Sequence, residues 1–201
     1  TKVNNVVSEV RLYQYGNENR LARVTDGASA TLAEYDYDAA GNMIQETTAT
    51  RTRLFTYDER NLLVGVVDGS NHIAYAYNGA GQRVAKTVNG QTTTFVVDAN
   101  RDVFEIAQER DSSGVVHASY TFGLQRMGAF TGASAGFELA DRLGSVRRVA
   151  YGAGAITAMS AYDAFGGAAS LTAGALGAYA FDGELLDQET GLIYLRARYY
   201  D

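Results

Sequence analysis

The chain of 201 residues contains no cysteine, no proline and no tryptophan, and its only histidines are His72 and His117. Without cysteine there is no disulfide framework and no zinc–thiolate site, and the redox compartment is left open. An average chain of this length carries about ten prolines. Their absence removes the residue that takes a donor out of a β-ladder, which suits long continuous sheets. Basic residues are also few, 17 against 23 acidic, for a net charge of −6. That balance lacks the basic face that non-specific nucleic-acid binding requires. Long hydrophobic runs are missing as well. The chain opens Thr1-Lys2-Val3-Asn4-Asn5 without the apolar run of a signal peptide. Residues 164–181 are uncharged but consist mostly of Ala and Gly, with Leu171 and Leu176 as the aliphatics. Gly166, Gly167, Gly174 and Gly177 interrupt them, so the stretch reads as small-residue strands and turns and not as a membrane span.

What the chain has is a beat. Tyr37-Asp38, Tyr57-Asp58 and Tyr77-Asn78 stand twenty residues apart, Val97-Asp98 extends the series, and Tyr15-Gly16 precedes it by twenty-two. Self-similarity at such a period marks a fold made by stacking one supersecondary unit. Asp38 followed by Gly41 fits positions i and i+3 of a type I turn, where the carboxylate caps local N–H groups and glycine accepts positive φ. Asn78 with Gly81 repeats the pattern, and Asp58 with Asn61 uses the next best residue for that conformation. Tyr75 and Tyr77 before the turn and Val84 after it alternate with polar neighbours, the hairpin signature. Asp68-Gly69 and Asn89-Gly90 supply a second turn per period. The expected fold is all-β, a meander of antiparallel β-hairpins with a period of about twenty residues, forming a long curved sheet. At this length a sizeable core is possible.

Chemical motifs are few. Gly132-Ala133-Ser134-Ala135-Gly136 matches a nucleophile elbow, yet both histidines precede Ser134 and no helix pattern follows. Asp36, Asp38 and Gly41 start like a calcium loop, but Ala40 and Thr47 stand where ligands are required. Gly79-Ala80-Gly81 lacks the third glycine and the helix of a dinucleotide site. Glu184, Asp187 and Glu189 form an acidic cluster around the turn at Gly191, expected to be a solvated hairpin tip. His72 and His117 sit beside loops, too far apart in sequence to suggest a shared site. Arg142, Arg147, Arg148, Arg196 and Arg198 are expected to cross-link hairpins by pairing with Asp141 and Asp201 or stacking on tyrosine. No catalytic residue, metal or cofactor site is expected.

From residue 111 the period gives way to an ordered series: Asp111-Ser112-Ser113-Gly114, Tyr120-Thr121-Phe122-Gly123, Asp141-Arg142-Leu143-Gly144-Ser145, Tyr162-Asp163-Ala164-Phe165-Gly166, Tyr179-Ala180-Phe181-Asp182-Gly183-Glu184, and Glu189-Thr190-Gly191-Leu192-Ile193-Tyr194-Leu195-Arg196-Ala197-Arg198-Tyr199-Tyr200-Asp201. This series resembles the Rhs-repeat-associated core that ends bacterial Rhs and YD-repeat shells, including those of Tc toxins, and the upstream repeats resemble YD repeats. Two departures stand out: Ala164 lies where such proteins commonly have proline, and the chain stops at Asp201 where they continue. On this resemblance residues 1–110 are YD-repeat hairpins and residues 111–201 a core-like region truncated at its C-terminal end. Tyr37, Asp38, Gly41, Tyr57, Asp58, Tyr77, Asn78 and Gly81 become structural repeat residues. Asp141, Arg142, Gly144, Tyr162, Asp163, Gly166, Gly191, Arg196, Arg198, Tyr199, Tyr200 and Asp201 become structural core residues.

The resemblance implies a hollow shell that encloses a C-terminal toxin polypeptide in a secreted or cell-surface bacterial protein. Its aspartate-type self-cleavage site lies mostly beyond Asp201, so no enzyme activity is expected of this stretch. The chain, lacking an initiator Met and starting within patterned sequence, is expected to be a piece of something longer. Its partners would be the rest of its shell and the toxin cargo. Two other readings follow from the residues. Exposed tyrosine rows flanked by Asp and Asn would grip carbohydrate, and open sheet edges would pair with further copies.

Overall fold

The computed structural model describes residues 10–101, 103–132, 134–152, 154–163, 165–171 and 179–200. The fold is all-β, an antiparallel meander that does not close into a barrel, and it divides into two compact units, Thr1–Ile73 and Ala74–Asp201. In the first unit β1 (Arg11–Tyr15), β2 (Leu21–Asp26), β3 (Thr31–Tyr37), β4 (Met43–Thr48), β5 (Thr52–Tyr57) and β6 (Leu63–Asp68) each pair with the next in line. Strand β7 (Asn71–Tyr77) spans the division. In the second unit the same up-and-down path runs through β8 (Arg83–Val88), β9 (Gln91–Asp98), β10 (Glu105–Asp111), β11 (Val116–Phe122), β12 (Arg126–Thr131), β13 (Ser134–Ala140), β14 (Val146–Tyr151), β15 (Ala155–Tyr162) and β16 (Ala168–Leu171). A separate sheet of β17 (Leu185–Asp187), β18 (Leu192–Tyr194) and β19 (Tyr199–Tyr200) completes that unit.

One turn design accounts for the repeat. At Asp38, Asp58, Asn78, Asp111, Asp141 and Asp163 the residue's N–H donates to the carbonyl four residues on, at 2.9–3.0 Å. Its side-chain Oδ1 accepts the N–H of that fourth residue at 2.8–3.1 Å. Position i+3 has positive φ, filled by Gly41 (92°), Asn61 (60°), Gly81 (77°), Gly114 (87°), Gly144 (93°) and Gly166 (88°). The DRLGS and YDAFG stretches are therefore the same capped turn as the Tyr-Asp repeats, at wider spacing. Beside each turn the ladder slips by one residue, so that Tyr37 faces Met43 and Tyr57 faces Leu63. Such a bulge turns the following side chains over. It corrects the simple alternation across the turn: the buried residue after Tyr77 is Arg83, and Val84 is half-buried.

The capped turns carry an acid response. The Leu62 N–H leads the bonds that hold the Asp58 carboxyl below its ordinary range. A side-chain bond from Asn42 does so for Asp38, one from Ser113 for Asp111, and one from Arg51 for Asp68. A carboxyl depressed in the fold contributes stability that is complete above its unfolded value, about 3.9, and is lost as the pH falls through the folded value. The strand signal in far-UV circular dichroism is expected to hold from neutral pH to about 4 and to fall below it. Loss already above pH 5, roughly one unit over the unfolded value, would contradict this origin.

The cores follow the inward positions. In the first unit they include Val24, Ala33, Phe55, Leu63 and Val66, with Arg53 and Glu46 buried as an ion pair and the Arg53 guanidinium 5.4 Å from the Phe55 ring centre. In the second, Phe95, Ile106, Ala118, Tyr120, Val146 and Val149 of the meander pack against Tyr179, Leu185 and Tyr194. No helix among the described residues is long and apolar enough to cross a membrane.

Candidate functional site

The feature that distinguishes the second unit is the return of its C-terminal segment, residues 179–200, onto the meander. Three arginines of chemically different setting hold it. Arg83 and Asp187, 0% and 1% exposed, pair at 2.6 Å between Nη1 and Oδ2. The guanidinium is enclosed by the rings of Tyr194 (4.2 Å to the centre), Tyr75 (5.2 Å), Phe95 (5.3 Å) and Tyr199 (5.9 Å). Its Nη1 also donates to the Tyr199 hydroxyl at 3.2 Å, and the Arg83 backbone N–H donates to the Tyr194 hydroxyl at 3.2 Å. Burial, the largest single influence, opposes the charge on Arg83, but Asp187 and the Tyr199 hydroxyl together outweigh it and raise the pKa, so Arg83 keeps its charge. Lys86 adds a second cation, 2.9 Å from Glu189 and 3.3 Å from Asp187 Oδ1. Asp187 is thus a buried anchor and not a solvated hairpin tip, which corrects the expectation for that cluster. The hairpin turn itself is closed by Gly191, at φ 79°, whose N–H donates to Asp187 O at 2.8 Å.

Arg126 lies 3.5 Å over the Tyr179 ring, pairs with Glu138 at 2.8 Å and donates to Gly183 O at 2.9 Å. Arg196, in the left-handed region at φ 62°, binds Glu184, Glu105 (3.0 Å) and Phe104 O (3.1 Å). Burial raises the carboxyl pKa of Glu138 and Glu184, and the arginine beside each opposes it. A raised carboxyl favours the folded state as the pH falls toward the unfolded value. Hydrogen-exchange protection of residues 185–194 is therefore expected to persist, not weaken, from pH 7 to about 5. Loss of protection in that window would show that the segment is released by acid.

The capped turns contribute the remaining seat. Asp141 caps the Leu143 and Ser145 N–H groups and pairs with Arg147 at 2.7 Å, while Arg147 lies 5.2 Å from the Tyr162 ring centre. Ser145, fully buried, accepts the Asp182 N–H at 2.9 Å, and the Val146 N–H donates to Ala180 O at 2.9 Å. Asp163 caps the Phe165 and Gly167 N–H groups. Gly166 lies so near Phe181 that a Cβ would stand 2.7 Å from the ring. Tyr199 shares a hydroxyl hydrogen bond of 2.9 Å with Tyr77, and Tyr200 donates to Phe165 O at 2.7 Å.

The structure thus brings together Tyr77, Asp141, Gly144, Tyr162, Asp163, Gly166, Gly191, Arg196, Tyr199 and Tyr200. Arg142, Arg148 and Arg198 are exposed, and Asp201 lies outside the described residues, as does Ala164. Tyr37, Asp38, Gly41, Tyr57 and Asp58 belong to turns of the first unit, where Tyr37 donates to Leu21 O at 2.9 Å. Asn78 and Gly81 form the corresponding turn in the second. Sequence reasoning passed over Arg83 and Arg126; for Arg83 the available signal was a cation directly after a capped turn, where Leu63 and Val146 are apolar. His72 and His117 are exposed, and His117 Nε2 lies 3.3 Å from Asp111. Ser134 begins strand β13 opposite Thr131, which is not the strand-to-helix turn a nucleophile elbow needs. No metal-holding group of acids and histidines is found among the described residues.

A meander of capped hairpins with its C-terminal segment seated on one sheet face is the architecture of a YD-repeat shell segment. The chain belongs to the Teneurin YD-shell family, which matches residues 2–201. It is similar to the tRNA3(Ser)-specific nuclease WapA of Bacillus spizizenii, 28% identical over an alignment of 210 residues that covers 93% of this chain and 9% of that protein. The tRNA nuclease WapA of Bacillus subtilis strain 168 has the same identity and coverage. Among solved structures, the Photorhabdus luminescens Tc holotoxin pore shares the fold at a TM-score of 0.60 and 18% identity, over 95% of this chain and 11% of the other. The TcdB2–TccC3 crystal structure does so at 0.59 and 17%, over 95% and 12%. The chain therefore spans about a tenth of each of these relatives' length.

Proposed function

We propose that the chain is a wall segment of a shell that encapsulates a C-terminal toxin polypeptide in a secreted or cell-surface bacterial toxin. The observation that carries the reading is the seat just described. Residues 179–200 are fixed to the meander by buried ion pairs and tyrosines, an arrangement suited to a wall that must hold its carboxyl-terminal side in one place. In this reading residues 1–110 are the YD-repeat hairpins and residues 111–201 the core-like region, with the turn and seat residues acting structurally and turning over no substrate. The family assignment and the toxin relatives support it, and the nuclease activities named for those relatives would belong to a cargo. Its partners are the rest of the shell and that cargo. The tyrosines favour a shell over a glycan-binding surface: Tyr75, Tyr120, Tyr179 and Tyr194 are buried and Tyr37, Tyr57, Tyr77 and Tyr199 half-buried. Tyr13 and Tyr15, 55% and 60% exposed on strand β1, would be covered by a preceding hairpin.

The test is the intact mass of the parent chain expressed with the residues that follow Asp201. Two co-purifying masses that sum to the full chain, and become one when a downstream aspartate is substituted, are the expected result. A single full-length mass would remove the self-cleaving shell and put a glycan screen next.

A further inference from the structure

A sheet built from one repeated turn offers a returning segment many similar seats, so something must choose among them. The inward residue that lies between each turn and its bulge forms one column of the repeat: Met43 opposite Tyr37, Leu63 opposite Tyr57, Ile106 opposite Val97, Arg126 opposite Phe122 and Val146 opposite Ala140. Arg83 takes this place twenty residues after Leu63. A second inward column holds Glu46 opposite Tyr35, Val66 opposite Phe55, Glu109 opposite Phe95, Ala129 opposite Tyr120 and Val149 opposite Glu138. Lys86 takes that place twenty residues after Val66. Strand β8 is thus the repeat in these series with a cation in both columns, and both cations meet acids of one hairpin, Asp187 and Glu189. Arg126, the other cation of the first column, also reaches the returning segment, at Gly183 O.

We infer that Arg83 and Lys86 form an electrostatic address that fixes the register of the C-terminal hairpin on the repeat sheet. Tyrosine packing, apolar burial and capped turns recur from hairpin to hairpin and discriminate weakly. A buried ion pair adds little net stability over an apolar pair, but a misplaced one leaves a charge buried and unpaired, which is strongly unfavourable. Asp187 seated opposite Ile106, or Glu189 opposite Glu109, would be in that position. The role is one of positioning, and it holds whether or not a cargo is enclosed.

The test exploits the scarcity of lysine, Lys2 and Lys86 being the only two. A zero-length carbodiimide cross-link is expected between Lys86 and Glu189 in the unaltered chain. In the exchange variant Arg83→Ile, Lys86→Glu, Ile106→Arg and Glu109→Lys, the two repeats trade their inward residues. Movement of the cross-link to the lysine introduced at position 109 supports the address. So does hydrogen exchange in residues 192–194 that is about 100-fold faster while strands β11 to β14 stay protected. Unchanged protection of the hairpin without that movement of the cross-link overturns it, because shape alone would then set the register. Should the exchange variant not fold, Glu189→Lys at the half-exposed pair decides. About threefold to tenfold faster exchange in residues 185–194 is expected, and an unaltered rate refutes the address.

Discussion

Asp187→Ala is expected to lower the unfolding free energy of the second unit by about 3–5 kcal/mol, the cost of stranding one buried member of an ion pair. Arg83 is the member left behind. It is fully buried, its Nε and Nη2 already lack hydrogen-bond partners, and its remaining support is four aromatic faces and the Tyr199 hydroxyl. Lys86 would keep Glu189 but lose its contact with Asp187. The double replacement Arg83→Met with Asp187→Leu is expected to recover most of the loss, since an apolar pair of similar volume avoids both desolvation penalties. Urea denaturation of both variants measures this. A loss below about 1 kcal/mol for Asp187→Ala would place the pair among solvent-screened surface bridges and remove it as an anchor.

Gly128→Ala is expected to cost about 3 kcal/mol or more, at the severe end for overpacking. A Cβ at Gly128 would stand 2.1 Å from the Gly136 carbonyl oxygen and 3.2 Å from the Phe137 Cα. Both obstacles are backbone, so no rotamer change relieves them and strands β12 and β13 would have to part. Gly136 is crowded in turn, with a Cβ there 2.9 Å from Val149 and 3.0 Å from Tyr151. The control is Gly132→Ala, at φ 59° with nothing within 4 Å of the added methyl. It should lose only the left-handed strain, about 1–2 kcal/mol. Equal thermal shifts for the two variants would mean that β12 and β13 do not approach as described.

The fold was open to reading because its determinants are local. An Asp or Asn that caps two N–H groups and a Gly or Asn that takes positive φ three residues on act within five consecutive residues. Asp38–Gly41 and Asp58–Asn61 therefore announce their turns without help from the rest of the chain. Even so, Asp141–Gly144 and Asp163–Gly166 looked like distinct motifs until their hydrogen bonds proved identical to the repeat's. The inward set was harder to read. The bulge beside each turn is a property of the ladder, and it places Arg83 inside where period-two alternation points to Val84.

The seat of the C-terminal segment was the least legible part. Asp187, between Leu186 and Gln188 and close to Gly191, has the surroundings of a solvated turn. Its burial depends on an arginine 104 residues earlier. The sequence by itself determined the class of fold, the hairpin period, the turn positions and the exclusion of disulfide and zinc–thiolate chemistry, because each rests on residue type or short-range hydrogen bonding. Tertiary structure decided which charges are buried, that Arg83, Arg126 and Arg196 clamp one segment, and which repeat receives it. Those outcomes depend on desolvation and long-range pairing, which exist only once distant strands meet.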